Sequence, residues 1–143
     1  QLRSATVDES HIMATGIENL KIYQMARELE IKMHHLTRKF PVDERFRSVN
    51  QLNRSASSVS NNIAKAYYKR SMKEKIRILQ DISLSEAEET RTNLERCAEK
   101  GFCEKSLAEN IIHDYINLRK AMFGYIRFLK NHNTAKLTNS STH

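Results

Sequence analysis

Residues 51–75 read QLNRSASSVSNNIAKAYYKRSMKEK. In and just before this stretch, Val49, Leu52, Ala56, Val59, Ile63 and Ala66 recur three or four residues apart. That spacing lines small and apolar side chains along one face of an α-helix. Gln51, Arg54, Ser58, Asn61 and Asn62 fall between them, an unusual polar density for a single helix. After Ala64 the stretch turns basic, with Lys65, Lys69, Arg70, Lys73 and Lys75, and with Tyr67 and Tyr68 interleaved. One helix is therefore expected to carry a buried seam, a polar face and a cationic end.

Three further helices follow from period and punctuation. The first is expected from Ile17 to Lys39, where Leu20, Tyr23, Leu29, Met33 and Leu36 form an apolar stripe that Ala26 helps to fill. Pro41 disfavours the α conformation at Phe40 and ends that helix. Asp43 suits the N-cap of the second helix, which carries Phe46 through Tyr67. The third opens with a capping box, Ser71 and Glu74, and buries Ile76, Leu79, Ile82, Leu94 and Ala98. Lys100-Gly101 suits its end, because glycine takes the left-handed conformation cheaply. A second box, Ser106 and Glu109, is expected to open the fourth helix, with Ile112, Tyr115, Ile116, Met122, Ile126 and Leu129 as its stripe. Short connections between such helices predict an all-α, antiparallel up-down-up-down four-helix bundle over residues 17–130. Residues 1–16 are expected to form a flexible or vector-derived N-terminal extension, and residues 131–143 a polar C-terminal tail.

Composition narrows the function. A chain of 143 residues fits one domain with a real core. Three glycines and one proline leave few turn-formers for an all-β fold. No apolar run approaches the roughly 20 residues of a membrane span, and the first dozen residues lack the apolar core of a signal peptide. Cys97 and Cys103 are six apart, which fits neither a redox nor a zinc pair; reduced thiols of a cytoplasmic protein are expected.

The net charge of +7 is unevenly spread. Residues 65–77 hold six basic groups and one acidic, and residues 115–143 hold five basic and none acidic. Between them, residues 81–114 hold nine acidic and four basic. In an up-down-up-down bundle the two basic blocks meet at one pole, which would gather Lys65, Lys69, Arg70, Lys73, Lys75, Arg77, Arg127 and Lys130. Such cations attract phosphates and release counterions, and Tyr67 and Tyr68 can stack on unpaired bases. The plainer alternative is a solvated helix end whose tyrosines pack on a neighbouring subunit. The acidic block keeps the whole surface from being cationic.

Other constellations carry less chemistry. Gln51, Arg54, Ser58 and Asn62 share one helix face, as a ligand contact or as a structural polar face between helices or subunits. The structural reading is favoured, since buried polar groups demand partners and so specify one arrangement. Glu30 with His34 and Glu109 with His113 are each four apart, whereas di-iron bundles use Glu-x-x-His, so no metal site and no cofactor is expected. No phosphate loop, nucleophile elbow or zinc-protease motif is present, and no enzyme is expected. Glu86, Glu88 and Glu89 could suggest acid–base work, but a helix-surface salt-bridge face, with Arg91 and Lys100 nearby in sequence, needs fewer assumptions.

Several of these residues, taken together, resemble the four-helix-bundle family encoded in intervening sequences of large-subunit ribosomal RNA genes. The resemblance covers Glu18 to Lys130. ENLKIYQMARELE, Glu18 to Glu30, is similar to the family's start of helix 1, and Phe40-Pro41 with Glu44 to its first corner. Gln51, Arg54, Ser58, Asn62, Ile63 and Ala64 follow its Q-x-x-R…S…N-I-A pattern, and SLSEAEE, Ser83 to Glu89, its helix 3 motif. The pattern usually continues N-I-A-E-G; here Lys65 and Ala66 stand in those last two positions, which raises the positive charge. The resemblance implies a ring-like homopentamer without known enzymatic activity. It extends to a related branch, the accessory proteins of diversity-generating retroelements, basic pentameric bundles that bind nucleic acid and a reverse transcriptase. The expected function is therefore a non-enzymatic, oligomeric accessory protein that binds RNA or DNA through its basic pole and partners a reverse transcriptase or ribonucleoprotein. The alternative is a structural scaffold that docks an acidic protein partner.

Overall fold

The computed structural model describes residues 16–141, with side chains through Asn133. The expected N-terminal extension, save Gly16, lies outside the described residues. A short 3-10 turn, Ile17–Asn19, precedes α1 (Lys21–Thr37). A second 3-10 turn (Val42–Glu44) and a π turn (Arg45–Val49) lead into α2 (Asn50–Tyr67). α3 (Met72–Arg77) and α4 (Leu84–Glu99) are joined by a π segment, Ile78–Ser83. Ile78 and Leu84 both keep right-handed helical dihedrals, so α3, the π segment and α4 form one continuous rod. α5 runs Lys105–Ser141, past residue 130, where the sequence placed the start of a polar tail. Four helical rods result, with no strand among the described residues.

Each rod packs on the rods before and after it in the chain, and α1 closes the ring against α5. Cross-rod hydrogen bonds give the register. Asn53 Nδ2 donates to Thr37 Oγ1 at 2.9 Å, while Ser57 and Ser60 donate to the Glu30 carboxylate at 3.0 and 2.7 Å. Thr90 Oγ1 donates to Ser55 Oγ at 2.8 Å, and Ser83 Oγ to the Val59 carbonyl at 2.9 Å. Residue numbers rise along one rod of each pair as they fall along the other, so neighbours are antiparallel. Lys32 Nζ reaches Asp114 Oδ2 at 2.9 Å and ties α1 to α5 in the same sense.

The seam that opened the sequence reading is the centre of the core: Leu52, Ala56, Val59, Ile63 and Ala66 are each at most 1% exposed. Val49, at the start of that seam, is half-buried. Ile78, Ala87 and Leu118 are equally buried, and the sequence stripes had missed them.

Punctuation is realised in part. Ser71 caps α3, accepting from the Glu74 backbone N–H at 3.2 Å. Gly101, at φ +80°, ends α4: its N–H reaches the Ala98 carbonyl and the Phe102 N–H reaches the Cys97 carbonyl, both at 3.0 Å. That is the left-handed double closure for which glycine is selected. Two expected caps are not made. Asp43 lies inside a 3-10 turn and makes no side-chain cap; the polar contact there is Ser48 Oγ donating to Glu44 Oε1 at 2.7 Å. The box at Ser106 and Glu109 starts too late, because α5 already begins at Lys105. α1 stops at Thr37 rather than Lys39, and Phe40 turns into the core against Phe102, with ring centroids 5.9 Å apart.

Candidate nucleic-acid interface

The end of α2 fixes the candidate site. Tyr67 is its last residue, and Ser71 already caps α3, so the chain reverses within Tyr68–Ser71. A helix end leaves carbonyls without intrahelical partners. Lys75 reaches back from α3 to supply one: its Nζ donates to the Tyr67 carbonyl at 2.6 Å and lies 5.6 Å from the centre of the Tyr67 ring. A cation in that position also meets the negative end of the helix dipole. Lys75 therefore closes α2, and its charge is committed within the fold.

Arg77 is committed too, with Nε donating to Glu74 Oε2 at 2.6 Å. That bond holds the Glu74 carboxyl below the usual carboxylate range, and the fields of Lys69 and Lys73 add to it. The remaining cations of the first basic block differ. Lys65, Lys69, Arg70 and Lys73 are exposed and form no ion pair among the described residues.

α3 packs against α5, which brings the second basic block to the same end of the bundle. Tyr125 of α5 is half-buried beside Tyr67; burial first, then that neighbour, pushes its phenol up. Arg127, one residue before Phe128, and Lys130, two residues after it, lie on the exposed surface of α5. Tyr68 projects at 70% exposure, its ring edge-on to Tyr67 at 5.1 Å.

Sequence reasoning missed three aromatic side chains here. Tyr125 and Phe128 are near-parallel with centroids 6.3 Å apart, and Phe128 and His132 likewise at 6.3 Å. Their spacing of three and then four residues on one helix was the available signal.

The polar face of α2 lies elsewhere. Gln51, Arg54 and Ser58 line an open groove of about 460 Å³ between α2 and α4, together with Phe46, Arg47, Glu86 and Glu89. Burial, then the charge of Glu89, pushes the Glu86 carboxyl up. Asn62 Nδ2 donates to the Ser58 carbonyl at 2.8 Å and to Ser58 Oγ at 3.1 Å, within its own helix. The side-chain bonds that join α2 to its neighbouring rods instead come from Asn53, Ser57 and Ser60 toward α1 and from Ser55 toward α4.

Among the described residues, no group of three or more His, Cys, Asp or Glu is placed to hold a metal ion, and no helix is long and apolar enough to cross a membrane. Cys97 and Cys103 are free thiols. Burial pushes both up, so little thiolate forms near neutral pH.

Comparison with known proteins places this geometry. The family model described as 23S rRNA-intervening sequence protein matches residues 18–124. A crystal structure of a protein of unknown function from the S23 ribosomal protein family of Bacteroides thetaiotaomicron is similar in fold, with a TM-score of 0.69 at 23% identity. The alignment covers 78% of this chain and 99% of that one. No curated protein matches the chain in sequence.

Proposed function

Because the chain belongs to the 23S rRNA-intervening sequence protein family, we propose a role for the cationic pole that is peculiar to its own residues: a non-enzymatic protein that binds nucleic acid there. The observation that carries this reading is the convergence of exposed cations without carboxylate partners, Lys65, Lys69, Arg70, Lys73 and Arg127, beside exposed aromatic rings. Glu74, the one carboxylate within residues 65–77, is already held by Arg77. Cations free of internal partners can exchange their counterions for phosphates, which is the main source of nucleic-acid affinity. Lys75 and Arg77 support the pole; the other cations face the ligand.

The protein is further proposed to act as a homo-oligomer, a pentameric ring, as an accessory to a reverse transcriptase or another ribonucleoprotein. Phe46, at 84% exposure, borders a groove with Arg47 and Arg54 on one wall and Glu86 and Glu89 on the other. An exposed aromatic beside both signs of charge suits a face that meets another subunit.

The test is the triple charge reversal Lys69→Glu, Arg70→Glu, Lys73→Glu. None of the three side chains makes a hydrogen bond or ion pair among the described residues, so melting is expected to stay close to that of the parent protein. Affinity for RNA and DNA should fall at least ~10-fold in moderate salt. Unchanged affinity in a folded variant removes the pole as the binding surface; retained pull-down of an acidic protein after nuclease treatment would then favour the scaffold role.

A further inference from the structure

We propose that the basic pole takes single strands in preference to duplexes, because α5 presents a stacking platform for unpaired bases whose central ring is Phe128. The inference rests on the nucleic-acid reading above and specifies its ligand.

Phe128 is 62% exposed, so its ring is open to a ligand. It does not stand alone. Tyr125 lies on one side of it and His132 on the other, with centroids 6.3 Å away in both directions. The ring planes are tilted by only 23° and 16°, so successive rings face the same way along the helix. At the inner end of the row, half-buried Tyr125 packs against the hydrophobic core and anchors the row there. At the outer end, Phe128 and His132 are open to solvent. Arg127 precedes Phe128 in the chain, and Lys65, Lys69, Arg70 and Lys73 belong to the same pole. Ring faces and exposed cations thus occur at the same end of the bundle.

The two features together discriminate between nucleic acids. Phosphates are present on every strand and cannot select one by pairing state. In a duplex the base faces are stacked on each other, and an aromatic ring on a convex helix surface does not reach them. In a single strand each base offers a π-face, and stacking on aromatic side chains is tolerant of sequence. A row of near-parallel rings with cations alongside therefore favours unpaired bases and has little means of reading which base is present. RNA and DNA single strands share this chemistry. Tyr68, edge-on to Tyr67, has no ring parallel to it and is a separate, lesser contact.

The test separates bases from phosphates. A fluorescent 20-nucleotide poly(dT), the same length of poly(U), an abasic strand of equal charge and a duplex of equal length are titrated with the protein. Titrations are repeated with Phe128→Ala and Phe128→Leu, the latter keeping apolar bulk without a π-face. Both base-bearing strands should bind more tightly than the abasic strand. Either substitution should cost roughly 5- to 100-fold on poly(dT) and poly(U), and leave the abasic strand unchanged. Tighter poly(U) than poly(dT) would assign the platform to RNA, and the reverse to DNA. Equal binding of the abasic strand and the base-bearing strands, with no effect of Phe128→Ala, overturns the platform while leaving phosphate binding at the pole intact. Failure of every nucleic acid to bind at low salt overturns both readings together.

Discussion

Tyr115 shows how a core position acquires a cost that its neighbours reveal. The residue is 1% exposed, and its hydroxyl has no hydrogen-bond partner among the described residues. The Glu30 carboxylate nearby is already occupied by Ser57, Ser60 and Arg27. Burial, and then the charge of Glu30, push the phenol far above its ordinary range. The sign follows from proton counting. Above pH ~10 the unfolded chain releases the tyrosine proton while the native state keeps it, so stability falls as pH rises. Tyr115→Phe removes an unsatisfied buried hydroxyl and is expected to raise stability by up to ~1–3 kcal/mol. It should also flatten the loss of stability between pH ~9 and ~11. Urea titrations across that range check both; lower stability with an unchanged alkaline slope would contradict them. Tyr115 was legible in the sequence as a core residue from its place in the stripe. Its orphaned hydroxyl was not, because that depends on which partners of Glu30 arrive first from another helix.

At the scale of elements, legibility followed locality. The Ser71 cap and the Gly101 stop depend on a handful of consecutive residues, and both are realised. Gly101 adopts φ +80° with open space where a Cβ would stand, so its role is conformational rather than steric. Gly101→Ala is expected to cost about 1 kcal/mol through backbone strain alone. Thermal melting would show a modest drop with no change in cooperativity; no drop at all would mean that the closure of α4 does not need glycine. The Ser106 box matched the same pattern, yet α5 begins one residue earlier, at Lys105. Sequence spacing alone does not fix which residue leaves the helix first. The π segments at Arg45–Val49 and Ile78–Ser83 were not legible either. They shift the face that each following helix turns inward, which accounts for Ala87 being buried beyond the expected stripe. Lys75 was read as a surface cation; its capping of α2 arises only once α3 folds back over that helix end.

The whole molecule joins what the chain separates. Two basic blocks about fifty residues apart reach one pole because four antiparallel rods bring the end of α2 and the later part of α5 together. That convergence was legible from charge layout and helix count, since an up-down-up-down order leaves few other arrangements. The aromatic row on α5 was not, because Tyr125, Phe128 and His132 look in sequence like the flank of an apolar stripe. The family match and the shared fold account for the bundle. They leave the role of the pole to the chemistry of this chain's own residues. The most direct measurement is binding of a fluorescent single strand across a salt series. Five exposed, unpaired cations per chain predict that log K falls against log salt concentration with a slope of about −3 to −4, at ~0.7 per phosphate. Tight binding with a slope near zero, or no binding even at low salt, would contradict the assignment of the pole to nucleic acid.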